Sequence, residues 1–197
     1  MERISIQKLV ETYCNKQKHA QEVKRLSLII FQEINEKIKN FSEEEKRLLE
    51  AAALLHDIGY SIEEKNHHKH TQKIILEHEI LEFTPRQQLI LSCICRYHKG
   101  ELPDKQTHQI YSTLDKKERK TVKQLGGILK IADGLENKKL GEITNIKLIY
   151  DKKNNISEFI LTLKISDTDN KSNIMRAIRK KDLFEIGFKT QVIFKIA

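Results

Sequence analysis

The chain has 197 residues, 39% of them apolar and 32% charged, with a formal net charge of +8. No apolar run approaches the roughly 18 residues that cross a bilayer, and Met1-Glu2-Arg3-Ile4-Ser5 lacks the basic-then-apolar order of a signal peptide, so a cytoplasmic protein is expected. The charge is spread evenly, with 25 basic and 21 acidic residues up to position 140 and 11 and 7 after it, so there is no dense basic tail and nucleic-acid binding would rest on charge alone.

The first ~140 residues read as successive helices by apolar spacing and capping. A short helix is expected at about 3 to 13. A longer one runs from 17 to 39, with Val23, Leu26, Ile30, Ile34 and Ile38 on one face. Ser42 and Glu45 form a capping box that opens the next helix, through Leu48, Leu49, Ala52, Leu54 and Leu55 to a left-handed stop at Gly59. Helical pattern resumes from Thr71 to Leu81. Thr84-Pro85-Arg86-Gln87 starts another helix, with Pro85 at its first position, that ends near His98 before Gly100. Asp115 caps a last long helix reaching Asn137. The pattern then changes to alternating strands at 143 to 150 and 156 to 165, a short helix at 172 to 181 and a third strand at 188 to 196. The expectation is a mainly α fold, a helical domain over 1–140 followed by a small α+β tail over 141–197.

Several polar residues stand at inward-facing phases of these helices. His19 is in line with Val23, and His56-Asp57 ends the apolar run Ala51-Ala52-Ala53-Leu54-Leu55. His98 follows Leu91 and Ile94 at helical spacing, and Asp133 interrupts Ile128-Leu129-Lys130-Ile131-Ala132. His67 and His70 are three apart, so either can join the set; His70 is favoured because it leads into the Ile74-Ile75 stripe. Burying imidazoles and carboxylates together is costly unless something neutralises them, and a divalent metal takes these ligand types. A lone histidine on an apolar face is more often a satisfied core residue. Several on different helices are not explained that way. His68, His78 and His108 read as surface residues, Lys130 as a snorkelling side chain, and Cys14, Cys93 and Cys95 as structural thiols of a reducing compartment.

The order His19, His56-Asp57, His70, His98, Asp133 resembles the extended H…HD…H…H…D signature of the HD superfamily of metal-dependent phosphohydrolases. It is most similar to the HD region at the C-terminus of the Ppx/GppA exopolyphosphatase and guanosine-pentaphosphatase family. The strings that carry the resemblance are His19-Ala20, Leu54-Leu55-His56-Asp57-Ile58-Gly59, His67-His68-Lys69-His70, Arg96-Tyr97-His98-Lys99-Gly100 and Ile131-Ala132-Asp133-Gly134-Leu135. Residue 1 already lies near the first helix of that region, so the actin-like catalytic lobes of the family are expected to be absent and their activity does not carry over. No Gly-Tyr-Pro motif follows His56-Asp57, which speaks against cyclic-di-GMP hydrolysis.

The resemblance implies an HD-type helical domain whose His19, His56, Asp57 and Asp133 hold one metal. His70 and His98 add a second, with Asp57 bridging. Two divalent ions, of Mn, Fe, Mg, Co, Ni or Zn, would supply a shared hydroxide at neutral pH. The implied activity is hydrolysis of a phosphoester or phosphoanhydride in a nucleotide or in polyphosphate. Asp57 sits at the catalytic centre, and Lys99 and Arg96, beside His98, are positioned to contact phosphate. The alternative is a non-catalytic regulatory module that binds a nucleotide or polyanion. The expected partner is a phosphorylated small molecule or polyphosphate, with neither membrane nor nucleic acid, and a homo-oligomer is compatible with the chain. The tail is expected to supply no metal ligand.

Overall fold

The computed structural model describes residues 2–136, 143–163 and 171–197. The molecule is mainly helical with small sheets, the larger of them near the C-terminus. Strand β1 (Glu2–Ile4) takes the residues expected to begin the first helix, because it pairs in parallel with β2 (His78–Ile80). Helix α1 (Ile6–Tyr13) therefore starts later, where Ser5 accepts a hydrogen bond from the Lys8 amide at 3.1 Å.

Helix α2 (Gln17–Lys37) buries Val23, Leu26, Ile30 and Ile34. Helix α3 (Glu43–Leu55) opens on the Ser42–Glu45 capping box and buries Ala51, Ala52 and Ala53, small residues that let α2 and α5 pack against it. Helix α4 (His67–Glu77) begins four residues before the position expected from the sequence. Helix α5 (Pro85–Arg96) has the Thr84–Gln87 box and Pro85 at its start, and α7 (Lys116–Leu135) the Asp115–Glu118 box. Between them lies the short α6 (Gln109–Thr113), which has too few turns to show a period.

Gly59 differs from expectation in its reason for being glycine. It lies in a 3-10 turn (Ile58–Ser61), not in the left-handed region; among the described residues the one glycine there is Gly100, with φ +79°. A Cβ on Gly59 would sit 2.0 Å from the His67 carbonyl oxygen and 2.5 Å from the Thr71 nitrogen. The residue is there so that the turn can touch the start of α4.

The C-terminal part holds β3 (Ile143–Asp151), β4 (Ile156–Leu163) and β5 (Gln191–Ile196) in the order β3-β4-β5, antiparallel then parallel. Ile143, Ile146, Leu148, Phe159, Leu161 and Val192 are among the residues it buries. Helix α8 (Lys171–Arg179) covers most of the expected segment. Helix α9 (Asp182–Phe188) stands where the sequence predicts no element before Phe188; it ends at Lys189 in the left-handed region, so the third strand begins at Gln191 and not at Phe188. Residues 164 and 165 of the second expected strand, and Asn137, lie outside the described residues. Both α8 and α9 pack on α7, and β3 packs on α2, so the C-terminal elements join the preceding helices at two places. No helix among the described residues is long and apolar enough to cross a membrane.

Candidate metal centre

Three helices deliver the central side chains. His56 and Asp57 follow the end of α3, His67 opens α4, and His98 lies just past the end of α5. Thr71 braces the first two elements: its hydroxyl donates to the His56 carbonyl at 2.9 Å and accepts from the Gly59 amide at 3.0 Å. His19 comes from the first turn of α2 and Asp133 from the last turns of α7.

The hydrogen bonds fix the tautomers. Nδ1 of His56 lies 2.8 Å from the Ala53 carbonyl, Nδ1 of His67 2.7 Å from that of Glu64, and Nδ1 of His98 2.5 Å from that of Cys95. A carbonyl oxygen only accepts, so each Nδ1 carries the proton and each Nε2 presents a lone pair. Those lone pairs converge on one oxygen. Asp57 Oδ1 is 3.5 Å from His56 Nε2, 3.3 Å from His67 Nε2 and 3.4 Å from His98 Nε2. On the other side, His19 Nε2 is 3.8 Å from Asp57 Oδ2 and 3.3 Å from Asp133 Oδ1, and His56 Nε2 is 3.9 Å from the same Asp133 oxygen.

Two features of this cluster call for a cation. His67 Nε2 and His98 Nε2 face each other at 3.2 Å, and the buried His56 Nε2 makes no hydrogen bond among the described residues. An extra proton does not resolve this at neutral pH, because burial pushes His67 down to about 4 and lowers His98 as well. Burial raises the Asp57 carboxyl, but His56 and His98 outweigh it and hold it well below the usual carboxylate range. For Asp133, burial is likewise outweighed, by Lys180, His19 and His56. Neutral imidazoles and ionised carboxylates are the protonation states that metal binding requires. Around a first-row ion with ligand bonds of about 2.1 Å, neighbouring donor atoms lie about 3.0 to 3.5 Å apart, and the shorter separations here fall in that range. His19, His56 and Asp133 form one group of suitable spacing, and His56, Asp57 and His98 another. The donor set fits a divalent metal.

The structure brings together His19, His56, Asp57, His98 and Asp133, and it puts His67 where the sequence favoured His70. His70 points away, with Nε2 3.1 Å from Glu63 Oε2. The reason is the early start of α4, which puts His67, Thr71, Ile74 and Ile75 on the buried stripe. Lys99 lines the cavity over the centre, of about 770 Å3, together with His19, Asp57, His67 and His98. Arg96 does not: it pairs with Glu101 at 3.2 Å and lines a separate small cavity beside Tyr97 and His108. His68 and His78 are buried instead of exposed, and His108 hydrogen-bonds the Tyr97 hydroxyl at 2.9 Å. Lys130 is buried in an ion pair with Asp182 at 2.8 Å, and burial pushes the three cysteine thiols up, as for structural thiols. Asp167 and Asp169 lie outside the described residues.

Sequence reasoning missed Tyr60 and Lys180. The Tyr60 ring stacks on His67 with centroids 4.0 Å apart, Lys16 Nζ lies 3.7 Å from its centroid, and burial and the Asp57 charge raise the phenol to about 12. Lys180 forms an ion pair with Asp133. Neither carries a sequence signal that separates it from an ordinary turn tyrosine or helix-end lysine.

A model of the family described as Ppx/GppA phosphatase, domain III, matches residues 2–183. A guanosine-5'-triphosphate,3'-diphosphate pyrophosphatase of Pseudoalteromonas translucida (strain TAC 125) is 31% identical over 98 residues, 50% of this chain. The aligned part covers 20% of that relative's length.

Proposed function

The chain belongs to the Ppx/GppA phosphatase domain III family, and we propose that it is itself a metal-dependent phosphohydrolase acting on a phosphoester or phosphoanhydride of a nucleotide or of polyphosphate. The observation that carries this reading is the convergence of three Nε2 lone pairs, from His56, His67 and His98, on Asp57 Oδ1. His19, His56 and Asp133 would hold one ion, and His67 and His98 a second. Asp57 lies between them, with Oδ2 toward His19 and Oδ1 toward His67 and His98. When bound, divalent metal supplies a water activated for attack and neutralises charge on the phosphoryl oxygens.

The protein's own part is positioning and electrostatics. The carbonyls of Ala53, Glu64 and Cys95 hold the three rings in one tautomer and one orientation. Lys99 offers an ammonium on the cavity wall next to His98, where phosphoryl transfer benefits from fixed positive charge. The relative's name supports a guanosine polyphosphate among the substrates to be tried.

The test is phosphate release from nucleoside triphosphates, guanosine tetra- and pentaphosphate and polyphosphate, with Mn2+, Mg2+ or Zn2+ added, for wild type and Asp57→Ala. Hydrolysis of at least one substrate by wild type, abolished in Asp57→Ala, is expected. Metal-loaded wild type that binds such a substrate tightly without turnover would show a regulatory module instead.

A further inference from the structure

The appendage reaches the centre through a close helix contact. Gly134 follows Asp133 on α7, and a Cβ there would lie 2.8 Å from Ala177 Cα and 3.1 Å from the Ala177 nitrogen. Glycine on α7 and the buried Ala177 on α8 let the two backbones approach this closely. The approach carries Arg176, on α8, and Lys180, just past its end, to Asp133. They stand four residues apart, which puts them on one side of the segment.

Asp133 divides its oxygens between two kinds of neighbour. Oδ1 lies 3.3 Å from His19 Nε2 and 3.9 Å from His56 Nε2. Oδ2 is ion-paired with Lys180 Nζ and lies 3.7 Å from Arg176 Nη2. Lys180 Nζ also donates to the His98 carbonyl at 3.5 Å, so one ammonium ties together residues from both halves of the centre. Groups that hold a ligand carboxylate from behind fix which oxygen it turns forward. The Lys180 side chain is mostly enclosed, whereas Arg176 lines the cavity and is about a third exposed. A guanidinium on the wall beside a ligand carboxylate matches the planar, two-point geometry of phosphoryl oxygens.

We propose that the C-terminal segment supplies a second anion contact to the centre, in addition to Lys99. Arg176 contacts a phosphoryl oxygen of the bound substrate, and Lys180 is a positioning residue that keeps Asp133 Oδ1 turned toward the imidazoles. This rests on the metallophosphohydrolase reading above, and the experiment separates the two.

Calorimetry on the full chain measures binding of Mn2+ and, with and without Mn2+, of methylenediphosphonate, a non-hydrolysable phosphoanhydride mimic. Arg176→Gln is expected to bind Mn2+ within twofold of wild type and the diphosphonate about ten- to a hundredfold more weakly, with part recovered in Arg176→Lys. Lys180→Met is expected to lose about ten- to a hundredfold in Mn2+ affinity, while Lys180→Arg, which keeps the charge, stays within about threefold. Unchanged diphosphonate binding in Arg176→Gln overturns the proposal, as does a Lys180→Arg variant as impaired as Lys180→Met. The Arg176 comparison stands even if Lys180→Met fails to fold. Wild type that takes up no Mn2+ contradicts the metal reading alone: diphosphonate binding that is still weakened by Arg176→Gln then supports the anion site, and binding that is unchanged overturns it.

Discussion

Replacing Gly59 by alanine perturbs the centre without replacing a candidate ligand. The added methyl would stand 2.0 Å from the His67 carbonyl oxygen, 2.5 Å from the Thr71 nitrogen and 2.9 Å from the His67 carbonyl carbon. All three are backbone atoms, so no side-chain rotation relieves the clash and the turn must separate from α4 by more than an ångström. Overpacking of this kind costs about 1–3 kcal/mol. Separation also strains the Thr71 hydroxyl, which bonds both Gly59 and His56, and a lost buried hydrogen bond adds about 1 kcal/mol. The expected destabilisation is therefore about 2–4 kcal/mol. With a urea m-value of about 2 kcal/mol/M, the midpoint falls by about 1–2 M. The assay is urea unfolding followed by far-UV circular dichroism in EDTA, with Mn2+ binding measured on the same preparations. His67 rides on the displaced start of α4, so metal affinity should fall as well. An alanine variant with the wild-type midpoint and wild-type metal affinity would refute the close approach of the turn to α4.

Further predictions concern charge and protonation. Burial, then His98 and His67, hold His68 near 4, below its ordinary 6.5. The unfolded chain thus binds a proton that the folded chain refuses, and stability present above pH 6.5 is lost as the pH falls toward 4. Burial lowers His67 and His98 as well, so His68→Gln should remove a part, about a third, of the fall in urea midpoint between pH 7 and pH 4.5 in EDTA; an unaltered slope would contradict this. Lys99→Ala should lower kcat/KM by about one to two orders of magnitude with metal content unchanged. Arg96→Ala should leave kcat/KM within about threefold, because its guanidinium is turned toward Glu101 and away from the cavity; a loss equal to that of Lys99→Ala would reverse the assignment.

Where a local rule decides the structure, the sequence is readable. The capping boxes at Ser42, Thr84 and Asp115 set the starts of α3, α5 and α7, because each is a hydrogen-bond exchange within four residues. The inward phases of His19, His56, His98 and Asp133 follow from helical spacing for the same reason. Strands β1 and β2 pair residues 76 apart over three positions, and no three-residue segment carries a period that predicts such a partner. In the sequence His70 is favoured because it leads into the Ile74-Ile75 stripe. The i, i+4, i+7, i+8 pattern of His67, Thr71, Ile74 and Ile75 was present in the sequence and points to His67. Lys180 and Arg176 could not be placed, since their proximity to Asp133 depends on how α8 docks against Gly134, a long-range contact between parts with different periodicities.

The proposed metal centre is organised by Asp57 and closed by His67 in place of His70. Elemental analysis of purified wild type, Asp57→Ala, His67→Ala and His70→Ala, after identical loading with Mn2+ and dialysis, addresses it directly. Bound metal is expected in wild type, with complete loss in Asp57→Ala, partial loss in His67→Ala and wild-type content in His70→Ala. Full metal content in Asp57→Ala, or loss in His70→Ala with none in His67→Ala, would contradict it.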